Sequence, residues 1–202
     1  IVPDFISVDG SEGGTGAAPI EFSNYLGYPL TEGLIFVHNS LVGFGLRRKI
    51  KVFASGKVTT GFGMVKRMAM GADAIYCARG MMMSLGCIQA VKCNTNKCPV
   101  GIATQDPGLT VGLVVEDKNK RVASYHKQTI KSFSQLLGAM GLEHSSDLKP
   151  WHIMRRVSFS DVKHYGRIYQ FLNEGDLLQE PQSDLYREAW RAASADTFGR
   201  NG

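Results

Sequence analysis

With 202 residues, 44% of them hydrophobic and 20% charged, the chain has the composition of a folded domain and not of a disordered segment. Lysine plus arginine outnumber aspartate plus glutamate by 23 to 18, a net charge of +5 that is scattered apart from Arg47-Arg48-Lys49 and the run Lys118 to Arg121. No nucleic acid partner is expected from so diffuse a balance, which suits an anionic cofactor or a dicarboxylate equally well. No apolar run approaches the about 20 residues of a membrane span, and with no secretory segment apparent the cytoplasm is the expected compartment.

The chain opens at Ile1 and enters a strand-like run, Phe5 to Val8. A first strand with nothing beside it would leave an open sheet edge, so part of the fold is expected upstream, in a preceding segment or another chain. A Gly-rich loop, Asp9 to Gly16, leads to a helix expected from Thr31 to Arg48, with Thr31 as its cap and Leu34, Ile35, Val37, Leu41 and Val42 as its apolar face. A second unit follows: strand Lys51 to Ala54, loop Ser55 to Gly61, and a helix to Met70. A third has strand Asp73 to Tyr76, loop Cys77 to Gly80, and a Met-rich stretch. Strands alternating with helices imply parallel β/α units, either a slice of a doubly wound sheet or the C-terminal part of a (β/α)8 TIM barrel. A full barrel takes about 250 residues, so a barrel here is incomplete. Residues 1–112 are read as this unit, and 113–202 as a helical extension packing on it. The extension contains a long helix from about Val122 to Leu142, with Tyr125, Ile130, Phe133, Leu136, Leu137 and Met140 as its apolar members and Gly141 as its stop, and a short helix near Ser145-Ser146-Asp147-Leu148.

Two loops place a glycine beside a cation after consecutive strands, Ser55-Gly56-Lys57 and Ala78-Arg79-Gly80. Glycine lets backbone N–H groups approach an anion, and in (β/α)8 enzymes the phosphate site follows the last two strands. Tight strand-to-helix turns would need the same glycines, so both readings stand. The loop Gly13-Gly14-Thr15-Gly16 lacks the Walker lysine and the dinucleotide spacing. It is either a cover over a bound ring or a long turn.

Cys87, Cys93 and Cys98 follow with spacers of five and four residues, and Pro99 comes directly after the last. Iron–sulfur clusters take cysteine thiolates on such looping segments, and a proline after the final cysteine recurs in bacterial ferredoxins. Asn94, Thr95 and Asn96 are turn formers between them. Zinc usually takes four ligands in short-spaced pairs, and disulfides need an oxidising compartment. Zinc, reactive thiols and ordinary buried cysteines remain the alternatives to a cluster. Cys77, at a strand end, is expected to be buried packing, as are His38 within its helix and the methionines Met64, Met68, Met70 and Met81 to Met83. The other histidines are dispersed and form no ligand pair.

Three stretches together resemble the FMN-binding synthase domain of the glutamate synthase family and its shorter relatives: Glu12-Gly13-Gly14-Thr15-Gly16-Ala17-Ala18-Pro19, Gly71-Ala72-Asp73 with Gly86-Cys87, and Cys93 through Cys98-Pro99-Val100-Gly101-Ile102-Ala103-Thr104-Gln105. The likeness runs over about residues 3–142. It implies a (β/α)8 barrel with FMN at the carboxyl ends of the strands and a 3Fe-4S cluster on Cys87, Cys93 and Cys98. It further implies flavin contacts at Gly13, Gly14, Thr15, Ser55, Gly56, Lys57, Ala78, Arg79 and Gly80, and Glu12 facing substrate. The implied reaction reduces 2-iminoglutarate, formed from 2-oxoglutarate and ammonia, to glutamate, with electrons from ferredoxin or an NAD(P)H-oxidising subunit. Large members have Ser-Gly-His-Asp where this chain has Asp9-Gly10-Ser11-Glu12, and Asp-Gly-Gly-Leu-Lys-Thr-Gly where it has Ser55 to Gly61. The likeness is therefore to the shorter relatives. With no amidotransferase segment in the sequence, ammonia would come from a partner or from solution. Two other expectations remain: a flavin and iron–sulfur electron-transfer protein with a different substrate, and a metal-stabilised domain without catalysis.

Overall fold

The computed structural model describes residues 2–13 and 18–197. Strand β1 (Phe5–Asp9) is followed by a 3-10 turn (Ser11–Gly13) and helix α1 (Ile20–Tyr25), then by α2 (Leu30–Gly43), β2 (Lys51–Ser55), α3 (Gly61–Ala69), β3 (Ala74–Tyr76) and α4 (Ala78–Ser84). The three strands form one sheet in the order β1-β2-β3, with both pairs parallel. The α/β reading with parallel strands therefore holds, and the arrangement is compatible with part of a TIM barrel.

Alternation along the strands divides the sheet's two faces. Ile6 and Val8 pair in register with Val52 and Ala54, and Val52 and Ala54 are wholly buried beneath the helices with Leu30, Leu34, Val65 and Met70. The opposite face carries Phe5, Phe53 and Tyr76, stacked at 4.9 Å and edge-on at 5.9 Å. Phe5 and Tyr76 are 52% and 46% exposed, so this sheet is covered on one side only. Parallel sheets are ordinarily covered on both.

Helix boundaries depart from the periodic pattern where local chemistry intervenes. Helix α2 ends at Gly43 and not Arg48, because Gly45 takes a left-handed conformation at φ 68°. Its start is capped from outside: Thr31 does not cap it, and the Glu12 carboxylate accepts the Leu30 N–H at 3.0 Å. Thr31 instead accepts a hydrogen bond from Arg67 at 2.7 Å. Helix α3 does have its own cap, Thr60, whose hydroxyl accepts the Gly63 N–H at 3.0 Å. Met70 is fully buried as expected of core filler, whereas Met83 is 39% exposed.

After a short helix α5 (Pro107–Thr110), helix α6 (Val115–Ala139) packs along α3 and α4. It begins seven residues before the apolar pattern does, with Glu116 and Asp117 favourably placed in its first turn. The C-terminal part is less purely helical than expected. It contains the antiparallel pair β4 (Met154–Arg156) and β5 (Val162–His164), then α7 (Tyr165–Ile168) and α8 (Asp184–Ala192). The short helix expected near Ser145 to Leu148 is present as a single 3-10 turn, Ser145–Asp147.

One buried polar residue ties this segment to α2. Asn39, fully buried, donates to the Gln170 carbonyl at 2.8 Å and to the Tyr186 hydroxyl at 2.6 Å, and accepts the Leu172 N–H at 3.1 Å. Tyr186 also stacks on Phe36 at 5.5 Å. Replacing Asn39 with leucine strands these partners inside the fold, at about 1–3 kcal/mol for an orphaned buried group. We expect Asn39→Leu to lose about 2–3 kcal/mol in urea unfolding; a loss below about 0.5 kcal/mol would show that the docked segment finds other partners.

Candidate functional site

The carboxyl ends of β2 and β3 and the loop after β1 meet at a small cleft. Ser55, Gly56, Lys57, Ala78 and Arg79 line it together with Glu12. Six residues chosen from three separate loops are thus brought to one place. Val58, directly after Lys57, and Tyr76, the last residue of β3, complete the lining; both flank the Gly-cation loops and could have been added from the sequence. The β1 and β2 loops are fastened to each other by the Gly10 N–H donating to the Ser55 carbonyl at 2.8 Å.

Both glycines have packing reasons, and Gly80 lies outside the lining of this cleft. A Cβ on Gly56 would lie 2.9–3.0 Å from the Leu30 side chain, and one on Gly80 would overlap the Tyr125 hydroxyl at 2.0 Å. Ala78 to Gly80 form not a free loop but the first turn of α4. Lys57 holds a left-handed backbone at φ 48° and is exposed. Gly13 ends the 3-10 turn after β1; Gly14 and Thr15 lie outside the described residues.

Glu12 is held by a backbone donor. The Leu30 N–H fixes its carboxylate at the mouth of α2 while the side chain still lines the cleft. Tyr125, read from the sequence only as an apolar member of its helix, ties together the segments that follow β2 and β3. Its hydroxyl donates to the Thr59 carbonyl at 2.6 Å and meets the Cys77 thiol at 3.3 Å. Burial, with the Cys77 thiol second, pushes the Tyr125 hydroxyl up to about 12. Cys77 is thus half-buried packing at the end of β3, as expected there.

The three remaining cysteines lie on one irregular loop after α4. Cys87 accepts the Gln89 N–H at 3.4 Å, and Gln89 and Val91 take left-handed conformations at φ 56° and 52°. Asn96, also left-handed, accepts the Gln105 N–H at 2.6 Å, and its carbonyl accepts the Thr104 hydroxyl at 2.7 Å. This folds the later part of the loop over Cys98. The Ala103 N–H above all, with those of Val100, Ile102 and Gly101, holds the buried Cys98 thiol below its ordinary range against the opposing effect of desolvation. All four cysteines are free thiols. Among the described residues, no group of three or more His, Cys, Asp or Glu side chains is gathered closely enough to hold a metal ion. The donor chemistry thus suits a thiolate-bound metal, most plainly at Cys98, while the three sulfurs do not converge.

Among the described residues no helix is long and apolar enough to cross a membrane. A family model described as a conserved region in glutamate synthase matches residues 2–143. The chain is 41% identical over 172 residues to the glutamate synthase large subunit-like protein YerD of Bacillus subtilis, covering 85% of this chain and 33% of that protein. It is 38% identical over 146 residues to an archaeal glutamate synthase (NADPH) of Methanocaldococcus jannaschii, covering 72% and 29%. A ferredoxin-dependent glutamate synthase of Antithamnion sp. is 39% identical over 106 residues, which is 52% of this chain and 7% of that protein. The chain spans about one third of the length of the first two relatives.

Proposed function

This chain belongs to the glutamate synthase family, and from that premise we propose that it forms the phosphate-gripping side of an FMN site and the cysteine loop of a 3Fe-4S cluster in an oxidoreductase that reduces 2-iminoglutarate to glutamate. The observation that carries the flavin half is the convergence of Ser55, Gly56, Lys57, Ala78 and Arg79 on one cleft at the carboxyl ends of adjacent parallel strands. Lys57 and Arg79 supply two positive charges for a phosphate monoester, and Ser55 and the neighbouring backbone supply hydrogen bonds. When bound, FMN would supply hydride chemistry toward the imine and the cluster would supply single electrons.

The chain's own residues position and neutralise. Glu12, fixed by the Leu30 N–H, keeps a carboxylate at the edge of the cleft. There it repels a second anion and favours a cationic iminium group. The Tyr125 hydroxyl anchors the chain at Thr59, two residues after Lys57. The three cysteine sulfurs stand apart, and the N–H groups around Cys98 favour its thiolate form. A cytoplasmic enzyme completed by a preceding barrel segment, taking electrons from ferredoxin or an NAD(P)H-oxidising subunit, fits this assignment. The Antithamnion relative is named ferredoxin-dependent.

The test uses the protein together with its preceding barrel segment, purified anaerobically. Lys57→Ala and Arg79→Ala are each expected to weaken FMN about tenfold, the value of one charge-assisted hydrogen bond. Iron should be present at close to three atoms per chain, and 2-oxoglutarate with ammonia and reductant should yield glutamate. FMN affinity unchanged in both variants would defeat the flavin assignment. The hydrogen bond that occupies Glu12 favours one other reading, a flavin and iron–sulfur protein with a different acceptor. Cofactor-loaded protein that forms no glutamate would select it.

A further inference from the structure

Behind the flavin cleft, between α4 and α6, the surface opens into a second and larger cleft of about 680 Å³. That is within the range of small-molecule sites, about 300–1,000 Å³. Its α6 wall presents Lys120, Arg121 and Ser124, and its α4 wall presents Met83 and Ser84; no carboxylate lines it. Glu116 and Asp117 stand one turn away on α6, at spacings that commonly neutralise a cation. Yet Asp117 pairs with Lys118 at 3.4 Å, and among the described residues neither Lys120 nor Arg121 has an ion-pair partner. Ser84 spends its hydroxyl proton on the Met81 carbonyl at 2.7 Å. The donors available to a ligand are therefore an ammonium, a guanidinium fork and the Ser124 hydroxyl.

We propose that this cleft is a second anion site, which takes a small phosphate monoester and signals through Tyr125 to the two loops of the flavin cleft. A guanidinium fork beside an ammonium matches a phosphate dianion, and Met83 with the methylene stems of the two cations offers an apolar wall for an organic body. Tyr125 forms part of the cleft, adjacent to Ser124. Its hydroxyl is bonded to Thr59, two residues after Lys57, and to Cys77, two residues before Arg79. A ligand that shifts Tyr125 moves both loops at once. The signalling half rests on the flavin reading; the anion site does not.

Calorimetric titration of the protein with its preceding segment, using inorganic phosphate and glycerol 3-phosphate at low salt, tests the site. Lys120→Ala and Arg121→Ala together should weaken glycerol 3-phosphate about tenfold or more. Lys127→Ala on the same helix and Lys57→Ala in the flavin cleft should leave it unchanged. No binding, as when the preceding segment fills the cleft, or binding lost in Lys57→Ala and kept in the double variant, would overturn it. In the second arm, saturating glycerol 3-phosphate should shift FMN affinity about threefold or more, the size of a modest allosteric coupling. Tyr125→Phe should abolish that shift while still binding both ligands. An FMN affinity indifferent to glycerol 3-phosphate would refute the signalling, and a protein that binds glycerol 3-phosphate but no FMN would refute the flavin reading while upholding the site.

Discussion

Arg47→Ala is expected to destabilise the protein by about 3–5 kcal/mol, the cost of breaking a largely buried ion pair from one side. The Arg47 guanidinium donates to the Asp73 carboxylate at 2.7 Å, to the Gly71 carbonyl at 2.8 Å, to the Ile50 carbonyl at 3.0 Å and to His38 Nδ1 at 3.2 Å. These partners come from α2, the approach to β2 and the turn entering β3, so one side chain ties the helix of the first β/α unit to the entries of the second and third. The Arg47 and Asp73 side chains are 19% and 28% exposed, which leaves water little access to take over the orphaned groups. Asp73 would keep the Val52 N–H at 2.8 Å and a distant Lys51 at 3.8 Å. Arg47→Lys should recover only part of the loss, since an ammonium cannot span four acceptors with a planar fork. Urea unfolding of the two variants checks this. An alanine variant within about 1 kcal/mol of the parent would mean that these contacts exchange freely with water.

Arg47 belongs to a run that composition shows only as a basic cluster, and its role shows where sequence reading reached and where it stopped. Strands β2 and β3 were legible because each is a short apolar run closed by a glycine-bearing loop. The meeting of the two Gly-cation loops at one cleft was legible for the same reason: parallel strands deliver their following loops to one edge, so Lys57 and Arg79 had to be neighbours once the strands were. The early start of α6 was not legible, because residues 115–121 carry almost no apolar signal and are helical by continuity with the packed turns that follow.

Contacts between distant stretches of chain were also hidden. Asn39 reads as an ordinary polar position on a helix, and its three partners lie 131 to 147 residues away. Tyr125 was assigned to an apolar face correctly, but the destination of its hydroxyl depends on how α6 crosses the loops after β2 and β3. The β4–β5 pair is three residues per strand and mostly exposed, too short for alternation to register. The cysteine spacing predicts a wrapping loop, and the left-handed Gln89, Val91 and Asn96 are that loop's turns. Spacing alone, however, does not bring three sulfurs to one point.

The second large effect is on acid stability, and it originates in the same cluster as the first. Burial above all, with Arg47 and Lys149 adding repulsion and Asp73 opposing them, lowers the His38 imidazole from 6.5 to about 4. Its Nδ1 accepts the Arg47 Nε proton at 3.2 Å, which requires the neutral ring with its own proton on Nε2. Because the folded-state value lies below the unfolded one, the unfolded chain binds the extra proton between these limits. Stability is therefore full above about pH 6.5 and is lost as pH falls toward 4. A shift of this size corresponds to about 3 kcal/mol. His38→Gln keeps an acceptor for Arg47 without a titrating ring, and should flatten the fall in melting temperature between pH 6.5 and pH 4.5 while lowering stability modestly at pH 7.5. Parent and variant curves that stay parallel across that window would assign the acid sensitivity to carboxylates instead. Arg47→Ala should also soften the His38 transition, since it removes both the repelling charge and the donor that demands a neutral ring. The two substitutions are thus non-additive at low pH and closer to additive near neutrality, a pattern that a merely local packing role for His38 would not produce.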